Sequence, residues 1–207
     1  METQTKIAKK TGYHHGDLRA QLVEATRRLV ELKGPDHFSV AEACREAGVS
    51  TAAPYKHFRD KDEMLRAVIW EGMMRHRDQM LEAIEPLPQT SPDRITALGC
   101  VYVNFARNEP GVFRLMFALS ERHNEDEELI VCGQNLFGIV VQAVAHCFDR
   151  DTPIEADVQR AFMLWSFVHG LSFLTIDGKM QKMGSEVDLD TMIGGVTRRV
   201  LPECFSG

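Results

Sequence analysis

The sequence lacks the features that mark secreted, disulfide-bonded and membrane-spanning proteins. Its five cysteines are odd in number and scattered, and none forms a C-x-x-C pair, so neither a zinc knuckle nor a disulfide framework is predicted. The N-terminus carries no apolar segment typical of a signal peptide. The most apolar stretch, residues 162–176, is shorter than a bilayer span and contains His169 and Gly170, which favours a buried helix. We therefore expect a cytoplasmic protein with no membrane partner.

Length and composition exclude collagen-like, disordered and mini-protein classes but indicate no function. A chain of 207 residues can bury a core as one large domain or two small ones, and 44% apolar with 26% charged residues is ordinary for globular proteins. The charge is unevenly divided, however. Residues 1–79 contain 14 Lys and Arg against 12 Asp and Glu, whereas the rest contains 10 against 18, which returns the net charge of −6. The front is thus the better candidate for a polyanionic partner.

Apolar residues recur at helical spacing along most of the chain, with little of the alternation typical of strands. Capping patterns open several helices, for example Ser39 with Glu42, and a proline-rich linker lies at 86–92. No unit of 20 to 50 residues repeats. The predicted helices span residues 17–33, 39–47, 50–58, 61–85, 93–108, 110–122, 126–148, 154–177 and 189–201. The predicted fold class is all-α.

Two short helices joined across residues 48–50 have the spacing of a helix-turn-helix, whose second helix presents its N-terminal residues to base edges in the major groove. Small residues at 50–53 suit base contacts, and the side chains at 55–57 suit phosphate contacts. An ordinary three-helix bundle, with Tyr55 and Phe58 in its core, stays open from spacing alone. The candidate DNA-binding residues are Ser39, Ser50, Thr51, Ala52, Ala53, Tyr55, Lys56, His57 and Lys61.

Three sequence elements stand in register in this region: Ala-Gly-Val-Ser at 47–50, Tyr-x-His-Phe at 55–58 and Lys-x-x-x-Leu at 61–65. Over about residues 17–77 the chain resembles the DNA-binding domain of the tetracycline-repressor (TetR) family. The resemblance implies a two-domain homodimer that binds double-stranded operator DNA and a small-molecule effector. The implied parts are a head at 17–77 with its motif at 39–58, and an effector-binding and dimerisation domain at 78–207.

Two residues depart from the usual pattern of the family. Pro54 stands just before the tyrosine and lacks the N–H of an early helical bond, so we expect a slightly opened first turn in the helix over 50–58. Cys44 fills a core position between the short helices, where packing is favoured over sensing.

Residues 1–16 contain three lysines, a tyrosine and a His14-His15 pair. They are interpreted either as a basic arm that contacts the minor groove or phosphates, or as an ordinary solvated tail. Adjacent histidines point apart on a helix and no third ligand lies nearby, so no metal site and no cofactor are predicted.

The second half contains a run, 162–171, that resembles the Trp…His-Gly signature of one C-terminal domain type among these regulators. Trp165 and His169 lie four residues apart and share a helical face with aromatic and methionine residues of other helices. These side chains line an apolar effector pocket, or else they form core and dimer seam. The candidate pocket residues are Tyr102, Phe105, Met116, Phe117, Phe137, Trp165 and His169.

The resemblance further implies that the last two helices, 154–177 and 189–201, form an intermolecular four-helix bundle, in which Gly194-Gly195 would permit close approach. The expected function is a repressor that an apolar effector releases from a palindromic operator, with the helix over 61–85 as the link between pocket and head. An activator, or a thiol-redox regulator using Cys100, Cys132 or Cys147, is the alternative. No enzyme is predicted, because adjacent residues such as His146-Cys147 cannot form a nucleophile–base pair.

Overall fold

The computed structural model describes residues 18–118, 126–182, 184 and 188–205, and these residues form helices and no strand. The all-helical class is thereby confirmed, and residues 1–16, the predicted arm, lie outside the described part. The α-helices are α1 Leu18–Lys33, α2 Val40–Glu46, α3 Lys61–Ile84, α4 Asp93–Asn108, α5 Pro110–Ala118, α6 Glu127–Cys147, α7 Glu155–Ile176, α8 Lys179–Lys182 and α9 Leu189–Val200. Two short 3₁₀ helices span Pro54–Lys56 and Pro202–Phe205.

The N-terminal head packs α1, α2 and the first half of α3 around one apolar core. The predicted cap of α2 is formed: the Ser39 hydroxyl accepts the Glu42 N–H, and the Glu42 carboxylate accepts the Ser39 N–H. Cys44 is fully buried in this core, and its burial raises the pKa of the thiol. Cys44 therefore packs as a small apolar residue.

The helix predicted over 50–58 is not an α-helix. Residues 51–53 form a turn, and only Pro54–Lys56 is helical, in 3₁₀ geometry. Its bonds run to the third residue back, as in the His57 N–H to the Pro54 carbonyl at 2.8 Å. The reason is that Pro54 has no N–H to donate to the Ser50 carbonyl and is itself buried, so the segment tightens around its ring. The sequence predicted only a slightly opened first turn, whereas the structure has no α-helix in this segment.

The C-terminal bundle is built around α4, which packs against α3, α7 and α9. Helix α6 is more apolar than α7, which contains residues 162–176, the stretch singled out as most apolar from the sequence. By length and composition α6 could cross a membrane, with a mean hydropathy of 1.5 over its best window. Its buried residues pack against α4 and α7 in the core, however, as in a core helix of a globular domain.

Helix α5 joins the bundle to the head. The Glu31 carboxylate of α1 accepts the N–H groups of Gly111 and Val112, at 2.8 Å and 2.9 Å. The backbones approach so closely that a Cβ at Gly111 would lie 2.8 Å from the Val30 carbonyl oxygen. On its other side α5 meets α3, where a Cβ at Gly72 would lie 2.7 Å from Val112. Helix α3 is therefore not the sole link between the two parts, contrary to the expectation from sequence.

Candidate functional site

The turn over 50–57 presents a polar surface of the head to solvent. Tyr55 is 66% exposed, whereas Phe58 is 3% exposed and belongs to the core. The bundle alternative with Tyr55 in the core is therefore wrong. The exposed candidates for DNA contact are Ser39, Ser50, Thr51, Ala52, Tyr55, Lys56 and His57, with Ala53 half-buried beside them.

Two of the predicted DNA contacts also serve the head itself. The Lys61 ammonium donates to the Phe38 carbonyl at 2.8 Å and lies 4.2 Å from the centroid of the Phe38 ring. This cation–π and hydrogen-bonded position fixes the start of α3 against the end of the α1–α2 loop. Ser39 caps α2, as its spacing from Glu42 predicted. The structural role of Lys61 was not predicted from the sequence.

A cavity of about 150 Å³ lies in the bundle, between α3, α4, α5, α6 and α7. The structure brings five of the seven candidate pocket residues to its wall: Tyr102, Met116, Phe117, Phe137 and Trp165. Residues not singled out from the sequence complete the wall: Met73, His76, Met80, Gly133 and Leu136. Phe105 is instead buried in the core that joins head and bundle, where its ring lies 4.9 Å from that of His76.

Tyr102 is the centre of a small hydrogen-bonded group beside the cavity. Its hydroxyl oxygen accepts the Trp165 Nε1–H at 3.1 Å and lies 2.8 Å from Nδ1 of His169, to which the hydroxyl proton can be donated. Burial raises the pKa of Tyr102, so the phenol stays protonated. Trp165 and His169 thus share a helical face as predicted, and His169 lies behind the wall, with its ring 4.5 Å from that of Phe117.

His76 is the polar residue of the wall that the sequence did not reveal. It is 4% exposed, and its Nδ1 has no hydrogen-bond partner among the residues that the structure describes. Burial lowers the pKa of His76 to about 4, so the ring is neutral at pH 7. The available signal was the spacing of Met73, His76 and Met80, which puts one histidine on an apolar helical face.

An exposed stripe runs along α7 on the side away from the bundle. Its members recur every four residues: Val158, Phe162, Ser166, Gly170 and Leu174. No described atom would lie within 4 Å of a Cβ at Gly170, so the space beside it is open. In α9, Gly194 is buried, and a Cβ there would lie 3.6 Å from Thr96 of α4, so Gly194 packs within its own chain. Only Gly195 of the predicted glycine pair is left for an approaching partner.

The thiols of the described residues carry no sign of activation. Burial raises the pKa of each one, to about 12 for Cys100 and Cys147. Because the thiolate is the reactive form, such thiols react slowly with oxidants. The remaining thiols with raised pKa values are Cys44, Cys132 and Cys204. In the described ranges no three His, Cys, Asp or Glu residues are grouped as metal ligands would be.

Two family models match different parts of this chain. Residues 22–68, in the head, match the family described as "Bacterial regulatory proteins, tetR family". Residues 95–194, in the bundle, match the family described as "Tetracyclin repressor-like, C-terminal domain". The matches lie on either side of the 86–92 linker and together include the helix-turn-helix, most of α4, the helices α5 to α8 and the first half of α9.

A curated relative and two solved structures are similar to the chain. The HTH-type transcriptional regulator BetI of Escherichia coli is 36% identical over 76 residues, which is 37% of this chain and 39% of BetI. A protein of unknown function from Rhodococcus sp. RHA1 is 26% identical, with a TM-score of 0.79 over 94% of this chain and 98% of that one. A chain described as a transcriptional regulator from Saccharomonospora viridis, solved in complex with choline, has a TM-score of 0.71 at 16% identity, covering 89% of this chain and 95% of that one.

Proposed function

Since the chain belongs to the TetR family of transcriptional regulators, we propose that it is a repressor. As a homodimer it binds a palindromic operator, and a small apolar effector releases it. One observation carries this proposal: the cavity and the DNA-binding head share the helix α5, whose first turn bonds to Glu31 of α1 and whose later residues Met116 and Phe117 line the cavity.

The turn over 50–57 is the operator-reading surface of this proposal. Thr51 and Ala52 are small and exposed, so the turn can approach the bases, where their methyl groups meet thymine methyls. Tyr55 and Lys56 donate to phosphates and set the register of the head on the duplex. Lys61 adds a charge that phosphates can share with the Phe38 carbonyl.

The homodimer forms through the exposed stripe of α7 together with α9. Ser166 and Gly170 lie at the middle of this stripe, where their small size allows two α7 helices to cross closely. The larger Phe162 and Leu174 flank them and lose solvent exposure when the partner docks. A two-fold axis here directs the two heads towards half-sites about 34 Å apart, one turn of DNA.

Release follows from movement of α3 and α5 relative to α1. A ligand in the cavity contacts Met116 and Phe117, which lie about 7.5 Å along α5 from the backbone amides that Glu31 holds. An effector that prefers a shifted α5 changes the angle of α1 and so the spacing of the heads. Ligand and operator then weaken each other's binding by one common factor, typically about 5- to 150-fold.

Assignment of the bundle to the Trp…His-Gly type rests on Trp165, His169 and Gly170. A cytoplasmic location accords with the bacterial regulators among the relatives. The raised thiol pKa values favour ligand control over redox control. The choline of the Saccharomonospora viridis structure makes choline one probe to test against this cavity.

The direct experiment is protection of the intergenic DNA upstream of the gene by the purified protein. We expect a protected inverted repeat with two half-sites one turn apart. Lys56→Ala should weaken binding to every sequence. It should also lower the slope of the logarithm of the binding constant against the logarithm of the salt concentration by about one for each phosphate that a subunit no longer neutralises. Lys179→Ala, an exposed lysine of the bundle, is the matched control and should bind as the native protein does. A change in base preference alone in Lys56→Ala would overturn its phosphate role, and no protected repeat would overturn the proposed function.

A further inference from the structure

The imidazole of His76 is the polar group on the described wall of the cavity that forms no hydrogen bond with the described residues. Buried polar atoms in native proteins are nearly always bonded, because a buried unpaired group loses its water without compensation. His76 is 4% exposed, on the wall of the cavity, and its Nδ1 has no partner in the described part of the chain. The unpaired imidazole therefore marks the side of the cavity where a polar ligand atom is expected.

The other polar groups of the wall are already engaged. Tyr102 accepts the Trp165 indole N–H and bonds to His169, so neither Tyr102 nor Trp165 needs a ligand to satisfy it. The rest of the wall consists of thioethers, phenyl rings, a leucine and a glycine. No Asp, Glu, Lys or Arg belongs to the described residues that line this cavity, so nothing in the lining would pair with a ligand charge.

The volume of the cavity limits the ligand to about one ring. Its 150 Å³ equals the volume of an engineered apolar cavity that holds benzene. The side chains of Phe117, Phe137 and Trp165 line this space, and aromatic side chains favour an aromatic ligand through offset and edge contacts.

We propose that the effector is an uncharged single-ring phenol, whose hydroxyl bonds to the imidazole of His76 while its ring fills the space between the methionines and aromatic side chains. A hydroxyl fits because it can donate or accept, and so pairs with either tautomer of the neutral imidazole. The identity of the effector class rests on the proposed function, whereas binding of such a molecule to the cavity can be measured without DNA.

The test compares three probes of one size on the full-length protein by isothermal titration calorimetry. They are p-cresol, p-xylene, in which a methyl replaces the hydroxyl, and p-toluate, which carries a charge. We expect p-cresol to bind about tenfold more tightly than p-xylene, the worth of one hydrogen bond, and p-toluate to bind more weakly than both. Equal binding of p-cresol and p-xylene, tighter binding of p-toluate or of choline, or no binding of p-cresol would overturn the proposal.

Variants test whether the imidazole of His76 causes the preference for p-cresol. His76→Leu should remove the preference for p-cresol over p-xylene, whereas His76→Gln, which keeps a hydrogen-bonding group, should retain part of it. His37→Leu, an exposed histidine of the head, is the matched control and should leave the ratio unchanged. If His76→Leu fails to fold, His76→Gln and the probe comparison on the native protein still decide the matter. A ratio that His76→Leu and His76→Gln leave unchanged would overturn the assignment.

Operator retardation with the same probes separates this proposal from the proposed function. If p-cresol binds with the expected preference and operator affinity does not change, the ligand class stands and release by ligand fails. If p-cresol does not bind and an unrelated molecule releases the operator, the ligand class fails and the proposed function stands.

Discussion

The bond between α1 and α5 gives the most specific prediction about how the head is held to the bundle. In Glu31→Ala, the N–H groups of Gly111 and Val112 lose a carboxylate that now lies 2.8 Å and 2.9 Å away. A hydrogen bond to a charged group contributes about 1.5 to 3 kcal/mol, and a carboxylate at a helix N-terminus adds about 0.3 to 1 kcal/mol. Because one half-buried carboxylate makes both bonds, we expect a loss of about 2 to 4 kcal/mol in the free energy of unfolding.

The assay is urea unfolding followed by circular dichroism, at one protein concentration for all variants, since a dimer's apparent stability depends on concentration. Amide hydrogen exchange at Gly111 and Val112 gives a local readout, and both amides should exchange faster in Glu31→Ala.

Glu24→Ala is the control, because Glu24 lies on the same helix and the substitution removes the same type of side chain. Glu24 is 44% exposed and pairs with Arg27 and Arg28 on the surface of α1. Exposed ion pairs contribute about 0 to 1 kcal/mol, so Glu24→Ala should cost clearly less than Glu31→Ala. Equal losses in the two variants, with unchanged exchange at Gly111 and Val112, would show that Glu31 does not fasten α5 to the head.

Two further predictions concern the dimer and the buried histidine. Phe162→Asp should yield a folded monomer by light scattering, because a charge would be buried in the α7 seam, whereas Ile130→Asp on an exposed face of α6 should stay dimeric; a dimeric Phe162→Asp would count against this seam. For His76, burial lowers the folded-state pKa to about 4 from an ordinary value of 6.5. The unfolded chain therefore gains a proton that the folded one does not, so stability is full above about pH 6.5 and falls by on the order of 3 kcal/mol towards pH 4. His76→Leu should lack this component in urea titrations across that range, and an unchanged pH dependence in the variant would contradict it.

Helix positions were largely predictable because caps, breakers and apolar spacing are local. The helix expected at 93–108 is found at those residues, and α1, α3, α6, α7 and α9 end within one or two residues of the expected positions. The third helix of the head was mispredicted for a reason that is also local. Pro54 removes a bond inside a segment of nine residues, and too few bonds remain to hold an α-helix.

The site was less predictable because it depends on contacts distant in sequence. The aromatic residues of the wall follow from spacing, since a core stripe and a cavity wall have the same periodicity. The unpaired Nδ1 of His76 does not follow from spacing, because it depends on whether any of the four other helices around the cavity places a hydrogen-bond partner beside it. The bond of Glu31 to Val112 joins residues 81 apart, and no pattern within α1 indicates it.

Control of the head by the cavity can be tested by filling the cavity with a side chain. Gly133 lies on the wall, and a Cβ there would meet Met73 Cε at 3.6 Å, an ordinary contact, so Gly133→Leu can act as a tethered ligand. Gly138→Leu is the control on the same helix, where no described atom lies within 4 Å of the added Cβ. In anisotropy titrations of the protected inverted repeat, we expect Gly133→Leu to bind about 5- to 150-fold more weakly than the native protein and Gly138→Leu to bind as tightly as the native protein. Native operator affinity in a folded Gly133→Leu dimer would contradict it.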